Sequence, residues 1–359
     1  MKKNIYGLSL EELTSEMVML GQKPYRAKQL YSWLYVKKAK SFDEMTDVSV
    51  AFRQVLNEKY VIEKPSIFKK QISNDGTIKF LLELSDGNKI ETVLMPYNYG
   101  DAVCVTSQVG CNMGCAFCAS GLLKKKRDLS TAEMVGQILV VDEVLRKMNP
   151  DRHVTHVVVM GTGEPFDNYD NVIRFIRVIN SQFGISIGAR HITVSSCGLV
   201  PGILKYGKEG LQVNLAISLH APTNEIRDTL MPINKAYPLE KLIEAIIQYG
   251  KDTNDRRVTY EYILLAGIND SDEQANQLAD LIAPTYGYIN LIPYNEVDEN
   301  GFKRSSNNRI HKFHDILLKR GIKATIRKEF GSDRCCMWTI EGKIWKEKLI
   351  HTLPWIVAK

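Results

Sequence analysis

Long hydrophobic segments are missing from this sequence of 359 residues. It contains no run of about 18 apolar residues, the length that a membrane-spanning helix requires, and its first residues have no apolar signal-peptide core. Its seven cysteines are too few and too unevenly spaced for the disulfide framework of a secreted domain. We therefore expect a cytoplasmic protein without a membrane partner.

Neither sign of charge dominates strongly, because 47 Lys and Arg face 41 Asp and Glu, which gives a net charge of +6. This excess is compatible with a nucleic-acid partner but does not require one. Basic residues also cluster at 37–40, 124–127 and 319–328, although a solvated surface is the simpler interpretation of any single cluster. Hydrophobic residues make up 44% of the chain, which predicts an ordinary globular core.

Residues 1–60 have the pattern of a small helical unit. Ser9 and Glu12 form a capping box. A second segment with helical apolar periodicity follows Pro24. The sequence therefore predicts an N-terminal helical appendage.

The pattern changes over residues 61–97 to short strands. They are separated by Asp75-Gly76 and Asp86-Gly87, dipeptides that favour tight hairpins because both residues accept positive φ. We expect a small antiparallel β element that bridges to the main domain.

Residues 98–333 alternate between β-rich runs and helical patterns. One helix is predicted to begin at Ser130, with Glu133 completing its capping box. Repeated strand–helix units predict a parallel sheet, open or curled toward a barrel, whose chemistry gathers at the C-terminal ends of the strands. The predicted strands cover 103–109, 154–160, 192–195, 213–219, 258–265, 289–292 and 322–327. The predicted buried stripe of the helix is Val135, Ile138, Val141, Leu145 and Met148.

Three cysteines lie within eight positions, in Cys111-Asn-Met-Gly-Cys115-Ala-Phe-Cys118. Thiolates at such short spacing bind iron–sulfur clusters or zinc. A structural zinc site requires four ligands, and no nearby Cys or His supplies an obvious fourth. Three cysteines on a four-iron cluster leave one iron open to a substrate that chelates through an amine and a carboxylate. The methionine end of S-adenosylmethionine carries both groups.

The spacing CxxxCxxC resembles the signature of the radical S-adenosylmethionine superfamily, and Gly161-Thr-Gly-Glu-Pro165 resembles its loop that receives the amino group of the cofactor. Further segments, through residue 333, resemble the RlmN/Cfr family of RNA adenine methyltransferases. They are 90–93, 104–110, 160–165, 194–196, 215–220, 230–234 and 291–295. The resemblance implies an α/β fold with a partial (β/α)6-type barrel, preceded by the helical appendage and the β element. It also implies two cofactors, a [4Fe–4S] cluster and S-adenosylmethionine.

The resemblance further implies a reaction and its partners. Glu164-Pro165 and residues 292–295 look more like the enzymes that methylate C2 of adenine than those that methylate C8. C2 is flanked by two ring nitrogens and is electron-poor, so polar attack by this carbon on a sulfonium methyl group is unreasonable and a radical is needed. The implied substrates are 23S rRNA, at the peptidyl transferase centre, and tRNA, in the anticodon loop. The implied electron donor is a flavodoxin or ferredoxin, and we expect a monomer.

Matching positions imply roles for individual residues. In the family a methylated cysteine becomes bonded to adenine, a carboxylate removes the ring proton, and a second cysteine releases the product by forming a disulfide. Glu91 matches the proton acceptor and Cys104 the resolving cysteine. The positions that match cluster ligands are Cys111, Cys115 and Cys118. The positions that match S-adenosylmethionine contacts are Gly163, Glu164, Ser195, Ser218, Leu219, His220 and Asn295. Taken alone, Glu91 would be a solvated hairpin residue and Cys104 a buried structural thiol.

The end of the chain departs from the family pattern. The methyl-carrying cysteine of the family falls at Trp338, and the similarity stops after Asp333. The codons of Met337 and Trp338, read one frame over, encode Cys-Gly, so we expect residues 334–359 to be out of frame. Cys336 is the candidate substitute, but it is displaced from the family position, and radical transfer needs near-contact geometry. The chain as written would then bind the cluster and cleave S-adenosylmethionine without methylating RNA. An amphipathic C-terminal helix is the other interpretation of this tail.

Three other functions stay open at this point. One is a C8 methyltransferase of the Cfr type. Another is a radical S-adenosylmethionine activase, which would share only the cysteine trio and the Gly163-Glu164 loop. The last is a non-catalytic, cluster-containing RNA-binding protein. Formation of 5′-deoxyadenosine together with methyl transfer to RNA distinguishes a methyltransferase from the last two.

Overall fold

The computed structural model describes residues 2–296 and 300–328, and its first part is a small helical unit. The elements of this unit are β1 (Lys3–Asn4), α1 (Leu10–Met19), α2 (Tyr25–Tyr31), α3 (Val50–Lys59) and β2 (Tyr60–Val61). Ser9 and Glu12 form the predicted capping box at the start of α1. Because β1 pairs in parallel with β2, the two ends of the unit are held together.

An antiparallel meander follows the helical unit. Its strands are β3 (Ser66–Ile72), β4 (Ile78–Glu83), β5 (Lys89–Tyr97) and β6 (Gly100–Cys104). Asp75-Gly76 and Asp86-Gly87 lie in two of the turns, and Gly76 and Gly87 have φ values of 84° and 79°. Since β6 also pairs with a parallel strand of the main sheet, the meander forms one edge of that sheet and not a separate layer.

The rest of the described chain alternates between strands and helices. The strands are β7 (Gln108–Val109), β8 (Arg127–Asp128), β9 (Val154–Val159), β10 (Ile192–Ser196), β11 (Asn214–Ser218), β12 (Val258–Leu264), β13 (Gly287–Pro293) and β14 (Ala324–Ile326). The helices are α4 (Thr131–Met148), α5 (Tyr169–Asn180), α6 (Val200–Gly207), α7 (Asn224–Leu230), α8 (Leu239–Asp252), α9 (Asp272–Ile282) and α10 (Asn307–Lys319).

Ten strands of the described residues form the main sheet, in the order β14-β13-β12-β11-β10-β9-β6-β5-β4-β3. The strands from β6 to β14 in this order are all parallel. Within the described residues the edge strands β3 and β14 do not pair, so the barrel stays open. The predicted α/β fold with a partial barrel of (β/α)6 type is confirmed.

The first predicted strand, 103–109, is wrong over its second half. β6 ends at Cys104, and β7 pairs with β8 in a separate small sheet. The backbone N–H groups of Ser107 and Gln108 donate to Thr162 O, at 3.0 and 3.2 Å. The chain therefore leaves the sheet because the loop after β9 provides its hydrogen-bond partners.

The predicted helix at Ser130 is α4, with the predicted capping box to Glu133. Four members of its predicted stripe are buried, whereas Met148, in the last turn, is 57% exposed and the prediction for it is wrong. Asn149 caps the helix one residue later, and residues 146–150 are all exposed, so Met148 lies at the solvent-exposed end of the helix. Within the described ranges, no helix combines the length and the apolar composition of a transmembrane segment.

Candidate active site

A cavity of roughly 230 Å³ lies at the C-terminal ends of the parallel strands. It brings together most of the residues that the sequence singled out, which are Cys111, Cys115, Cys118, Gly163, Glu164, Ser195, Ser218 and His220. Leu219 is fully buried beside them, and Asn295, after β13, is exposed; neither lines the cavity. Cys336 and Trp338 lie outside the described residues.

The three cysteines lie on a loop that is fixed at both ends. The N–H of Cys111 donates to Leu123 O at 2.8 Å, and that of Ala116 donates to Leu230 O at 2.9 Å. Gly110 precedes the loop with φ of 79°, and a Cβ there would lie 2.2 Å from Lys124 O, so this position requires glycine. All three thiols are free and half-buried.

The cysteines fit a [4Fe–4S] cluster. Burial raises the pKa of Cys115 to about 12, and the neighbouring Cys118 and Cys111 raise it as well, which shows that the three thiols share one environment. Within residues 2–296 and 300–328, no three Cys, His, Asp or Glu side chains converge as the ligands of one ion would. A four-iron cube binds each cysteine on a different iron, so its ligands surround a space. Three free thiols that line one cavity meet that requirement.

The loop of residues 161–165 is packed against the chain that follows β6. A Cβ at Gly161 would lie 2.6 Å from Thr106 Oγ1, and one at Gly163, where φ is 110°, would lie 2.6 Å from Gln108 Cβ. Only glycine allows this approach. The Glu164 carboxylate accepts from Cys197 N at 2.8 Å and from Phe166 N at 3.0 Å. Burial raises the pKa of Glu164, and these backbone donors oppose that change. Its side chain thus joins the loop to the end of β10.

Polar groups from the next two strands face the same cavity. The hydroxyls of Ser195 and Ser218 are 3.4 Å apart. Nδ1 of His220 accepts from Ile263 N at 3.1 Å, and the ring meets Phe117 edge-on with centroids 4.7 Å apart. Burial lowers the pKa of His220 to about 3 and Arg227 lowers it as well, so the ring is neutral at physiological pH. Because Nδ1 is an acceptor, the remaining proton is on Nε2, which can donate to a ligand.

Glu91 and Cys104 lie beside this cavity without lining it. They belong to the paired strands β5 and β6, where Val93 is the partner of Cys104. Glu91 is 7% exposed, which excludes the solvated hairpin residue that its isolated context suggested. Burial raises the pKa of Cys104 to about 11; Arg327 lowers it and Glu91 raises it. The carboxylate and the guanidinium therefore both act electrostatically on the thiol, in opposite directions.

Glu261 and Arg327 also line the cavity, and neither was predicted as a site residue from the sequence. Glu261 accepts a hydrogen bond from Asn290 Nδ2 at 2.9 Å. Burial raises the pKa of Glu261, while Arg327 and this hydrogen bond lower it. A carboxylate in the middle of the apolar strand 258–264 was the available signal, since a charge at such a position requires a partner or a function.

Both parts of the chain match known families. Residues 105–279 match the Radical SAM superfamily, and residues 3–62 match the ribosomal RNA large subunit methyltransferase N-terminal domain.

Similar proteins cover nearly the whole chain. A probable dual-specificity RNA methyltransferase RlmN of Spiroplasma citri is 55% identical over 330 residues, which is 92% of this chain and 94% of the relative. A relative of the same name from Enterococcus faecalis is 52% identical over 335 residues, 92% of this chain and 94% of the relative. The crystal structure of a radical SAM methyltransferase from Sphaerobacter thermophilus has a TM-score of 0.86 and 41% identity, covering 92% and 97% of the two chains. The similarity thus extends over the helical unit and the sheet alike.

Proposed function

Because this chain belongs to the RlmN family of radical S-adenosylmethionine RNA methyltransferases, we propose that it methylates C2 of adenine in 23S rRNA, at the peptidyl transferase centre, and in the anticodon loop of tRNA. The observation that carries the proposal is the meeting of three free thiols with polar strand ends around one cavity, next to Glu91 and Cys104. An activase or a structural cluster would leave the pair Glu91 and Cys104 without a purpose.

In this proposal Cys111, Cys115 and Cys118 hold a [4Fe–4S] cluster. The residues that hold S-adenosylmethionine are Gly163, Glu164, Ser195, Ser218, Leu219, His220 and Asn295. Together the bound groups supply one-electron chemistry at a carbon that a polar mechanism cannot methylate. The serine hydroxyls and the Nε2–H of His220 orient polar groups of the ligand, and the ring of Phe117 covers His220 at the cavity.

Glu91 and Cys104 carry the later proton and sulfur steps. Glu91 takes the ring proton from C2 of the adenine while C2 is joined to the methyl-carrying cysteine through the transferred carbon. Cys104 then attacks the sulfur of that cysteine as a thiolate. A disulfide forms as the bond between this sulfur and the transferred carbon breaks, and the carbon keeps the electron pair and takes up a proton to become the methyl group of the product. With a pKa of about 11, Cys104 is almost entirely a thiol at neutral pH, so its proton has to leave before it can attack. Arg327 favours that step because its positive charge stabilises the thiolate.

The RNA-binding surface is proposed to lie on the helical unit, residues 2–62, and on basic side chains near the cavity. Part of the cluster at 124–127 has another role, because Lys125 pairs with Asp167 and Arg127 pairs with Glu133, both at 2.7 Å. The ring of Tyr25 in the helical unit is 54% exposed and offers a surface on which a base can stack. The target adenine has to be unstacked to reach the cavity. With ribosomal RNA as substrate, the proposed reaction takes place in the cytoplasm. The proposed electron donor is a flavodoxin or ferredoxin, and the enzyme is proposed to act as a monomer.

The tail decides whether the chain as written completes this reaction. Trp338 occupies the position of the methyl-carrying cysteine, and Cys336 is displaced from it. We propose that residues 334–359 are out of frame and that the reading frame restored after Asp333 encodes the active enzyme.

The test uses cells that lack this gene and carry the frame-restored version. After nuclease digestion of their RNA, mass spectrometry should detect 2-methyladenosine in 23S rRNA and in tRNA. Glu91→Gln should abolish the signal, whereas Glu83→Gln, a change on the neighbouring strand β4 at a residue paired with Lys89, should leave it.

Other products would contradict the proposal in distinct ways. Recovery of 8-methyladenosine would indicate the C8 reaction. If the frame-restored protein holds about four irons and four sulfides per chain but leaves every adenine unmethylated, the proposed activity is wrong.

A further inference from the structure

Arg227 of α7 is a buried arginine that the reaction described above does not use. Its side chain is 0% exposed. Nη1 donates to Asn234 Oδ1 at 2.9 Å, Nη2 donates to Cys197 O at 2.7 Å, and Nε donates to Leu219 O at 3.2 Å. All of these acceptors are uncharged amide or peptide oxygens.

A buried guanidinium without a carboxylate is unusual. Arginine stays charged in proteins, and a buried charge without a counter-charge is costly. Throughout residues 2–296 and 300–328, no carboxylate lies within ion-pair distance of Arg227; Asp228 accepts from Asn234 Nδ2 at 2.8 Å, one hydrogen bond further away. The fold also makes room for the cation, since a Cβ at Gly198 would lie 3.0 Å from Nη2 of Arg227.

The cysteine loop is attached to the helix that carries Arg227. The loop is bonded to the end of α7 through Ala116 N and Leu230 O, at 2.9 Å. Nη2 of Arg227 donates to the carbonyl of Cys197 at 2.7 Å, and Cys197 lines the cavity together with the three thiols. The guanidinium therefore lies directly behind the wall of that cavity.

We propose that Arg227 is the built-in counter-charge of the iron–sulfur cluster and makes the cluster easier to reduce. The inference rests on the proposed cluster at Cys111, Cys115 and Cys118. A four-iron cube in its resting state carries two positive charges, and three thiolates bring the total to one negative charge. One electron from an external donor makes the total two negative charges. A fixed positive charge in a low-dielectric environment stabilises the more negative state.

Arg227 is also a positioning residue. Its guanidinium bridges the carbonyl of Cys197, just after β10, and the carbonyl of Leu219, just after β11. The ends of these two strands carry Ser195 and Ser218. A structural role of this kind would affect folding and ligand binding but would not depend on the charge. The reduction potential of the cluster distinguishes the electrostatic role from the positioning role, because only the electrostatic role depends on the charge of Arg227.

The experiment compares three variants of the full, anaerobically reconstituted chain. Arg227→Lys keeps the charge, and Arg227→Gln removes it. The double variant Asn234→Asp, Asp228→Asn exchanges an amide and a carboxylate, so it leaves the net charge of the chain unchanged and places a carboxylate against Nη1 of Arg227. Iron and sulfide content is measured first. If the unmodified protein binds no cluster, the proposed cluster site at the three cysteines is wrong, and this result is distinct from a failure of the inference about Arg227.

The reduced fraction of the cluster is then followed by electron paramagnetic resonance during a dithionite titration with redox mediators. We expect Arg227→Lys to stay near the unmodified protein. In Arg227→Gln and in the double variant, the ratio of reduced to oxidised cluster at a fixed potential should fall about tenfold, equivalent to about 59 mV for a one-electron couple. If Arg227→Gln does not fold, the double variant still decides, because it retains the arginine. If either Arg227→Gln or the double variant holds four irons and shows the same ratio of reduced to oxidised cluster as the unmodified protein, the proposal is overturned.

Discussion

At the scale of single residues, Cys104 shows how opposite charges act on one half-buried thiol. Burial raises its pKa to about 11, Arg327 lowers the pKa and Glu91 raises it. A raised thiol pKa also affects stability, because the folded state then holds its proton more tightly than the unfolded state. That contribution is present below the unfolded value near 9 and is lost as the pH rises toward 11. In the proposed reaction the attacking thiolate of Cys104 is therefore favoured at higher pH than the range in which this thiol contributes to stability.

Alkylation of Cys104 measures this pKa directly. Only the thiolate reacts with iodoacetamide, so the rate should rise about tenfold per pH unit up to about pH 11. Arg327→Gln removes the cation that favours the thiolate and should move the profile to higher pH. Peptide mass spectrometry at pH 7 to 10 gives the rates, with Arg320→Gln, a change at a residue paired with Asp280 on the surface, as the control. Identical profiles in the two variants would exclude an effect of Arg327 on Cys104.

The sequence predicted many residues of the cavity because local motifs carry them. Cys111, Cys115 and Cys118 are visible through their spacing, and Gly163 through the glycine-rich loop. Arg227 and Glu261 were missed because each is a single charge outside the segments that resemble the family. Their roles depend on which strand ends the fold brings together, and spacing along the chain does not contain that information.

At the scale of elements, α4 fixes the point at which the chain leaves the sheet. Gln137 of α4 is fully buried. Its Oε1 accepts from Thr106 N at 2.9 Å and from Thr92 Oγ1 at 2.7 Å, and its Nε2 donates to Thr106 O at 2.9 Å. One side chain thus satisfies both backbone groups of Thr106, just after β6 ends. This explains why the strand predicted over 103–109 stops at Cys104.

Gln137→Leu should destabilise the protein strongly. Leucine has a similar volume but leaves the buried N–H and C=O of Thr106 unpaired, which costs about 3 kcal/mol in the free energy of unfolding. Urea denaturation followed by circular dichroism measures this change. Gln248→Leu, at an exposed position of α8, is the matched control and should change the free energy of unfolding by less than about 0.5 kcal/mol. Equal midpoints for the two variants would show that Gln137 does not hold this segment.

The predicted elements and the observed ones agree where periodicity is decisive. α1 and α4 begin at the predicted capping boxes, and the two predicted Asp-Gly turns connect strands of the meander. The sequence predicted that this meander bridges to the main domain, but not that it extends the parallel sheet, because β6 pairs with one strand nearby in sequence and with β9, which follows some 50 residues later. A single sequence does not encode such long-range pairings in a local pattern.

At the scale of the whole molecule, the proposed cofactor site and the methyl carrier come from different parts of the chain. All of the thiols and polar strand ends that line the cavity belong to residues 111–327. The methyl-carrying cysteine is proposed to belong at position 338, where this chain has Trp338. Cofactor cleavage and methyl transfer should therefore be separable in this protein.

The chain as written and the frame-restored chain test that separation. We expect both to hold four irons and to form 5′-deoxyadenosine from S-adenosylmethionine with dithionite as reductant, since the cavity residues are the same in both. Only the frame-restored chain should transfer a methyl group to a 23S rRNA fragment, because only it places a cysteine at position 338. Cys118→Ser should abolish 5′-deoxyadenosine formation in both chains. In the chain as written, Cys336→Ser should change neither 5′-deoxyadenosine formation nor methyl transfer. If that chain does transfer a methyl group and Cys336→Ser abolishes the transfer, Cys336 is the carrier, and the contact geometry tolerates the displaced thiol.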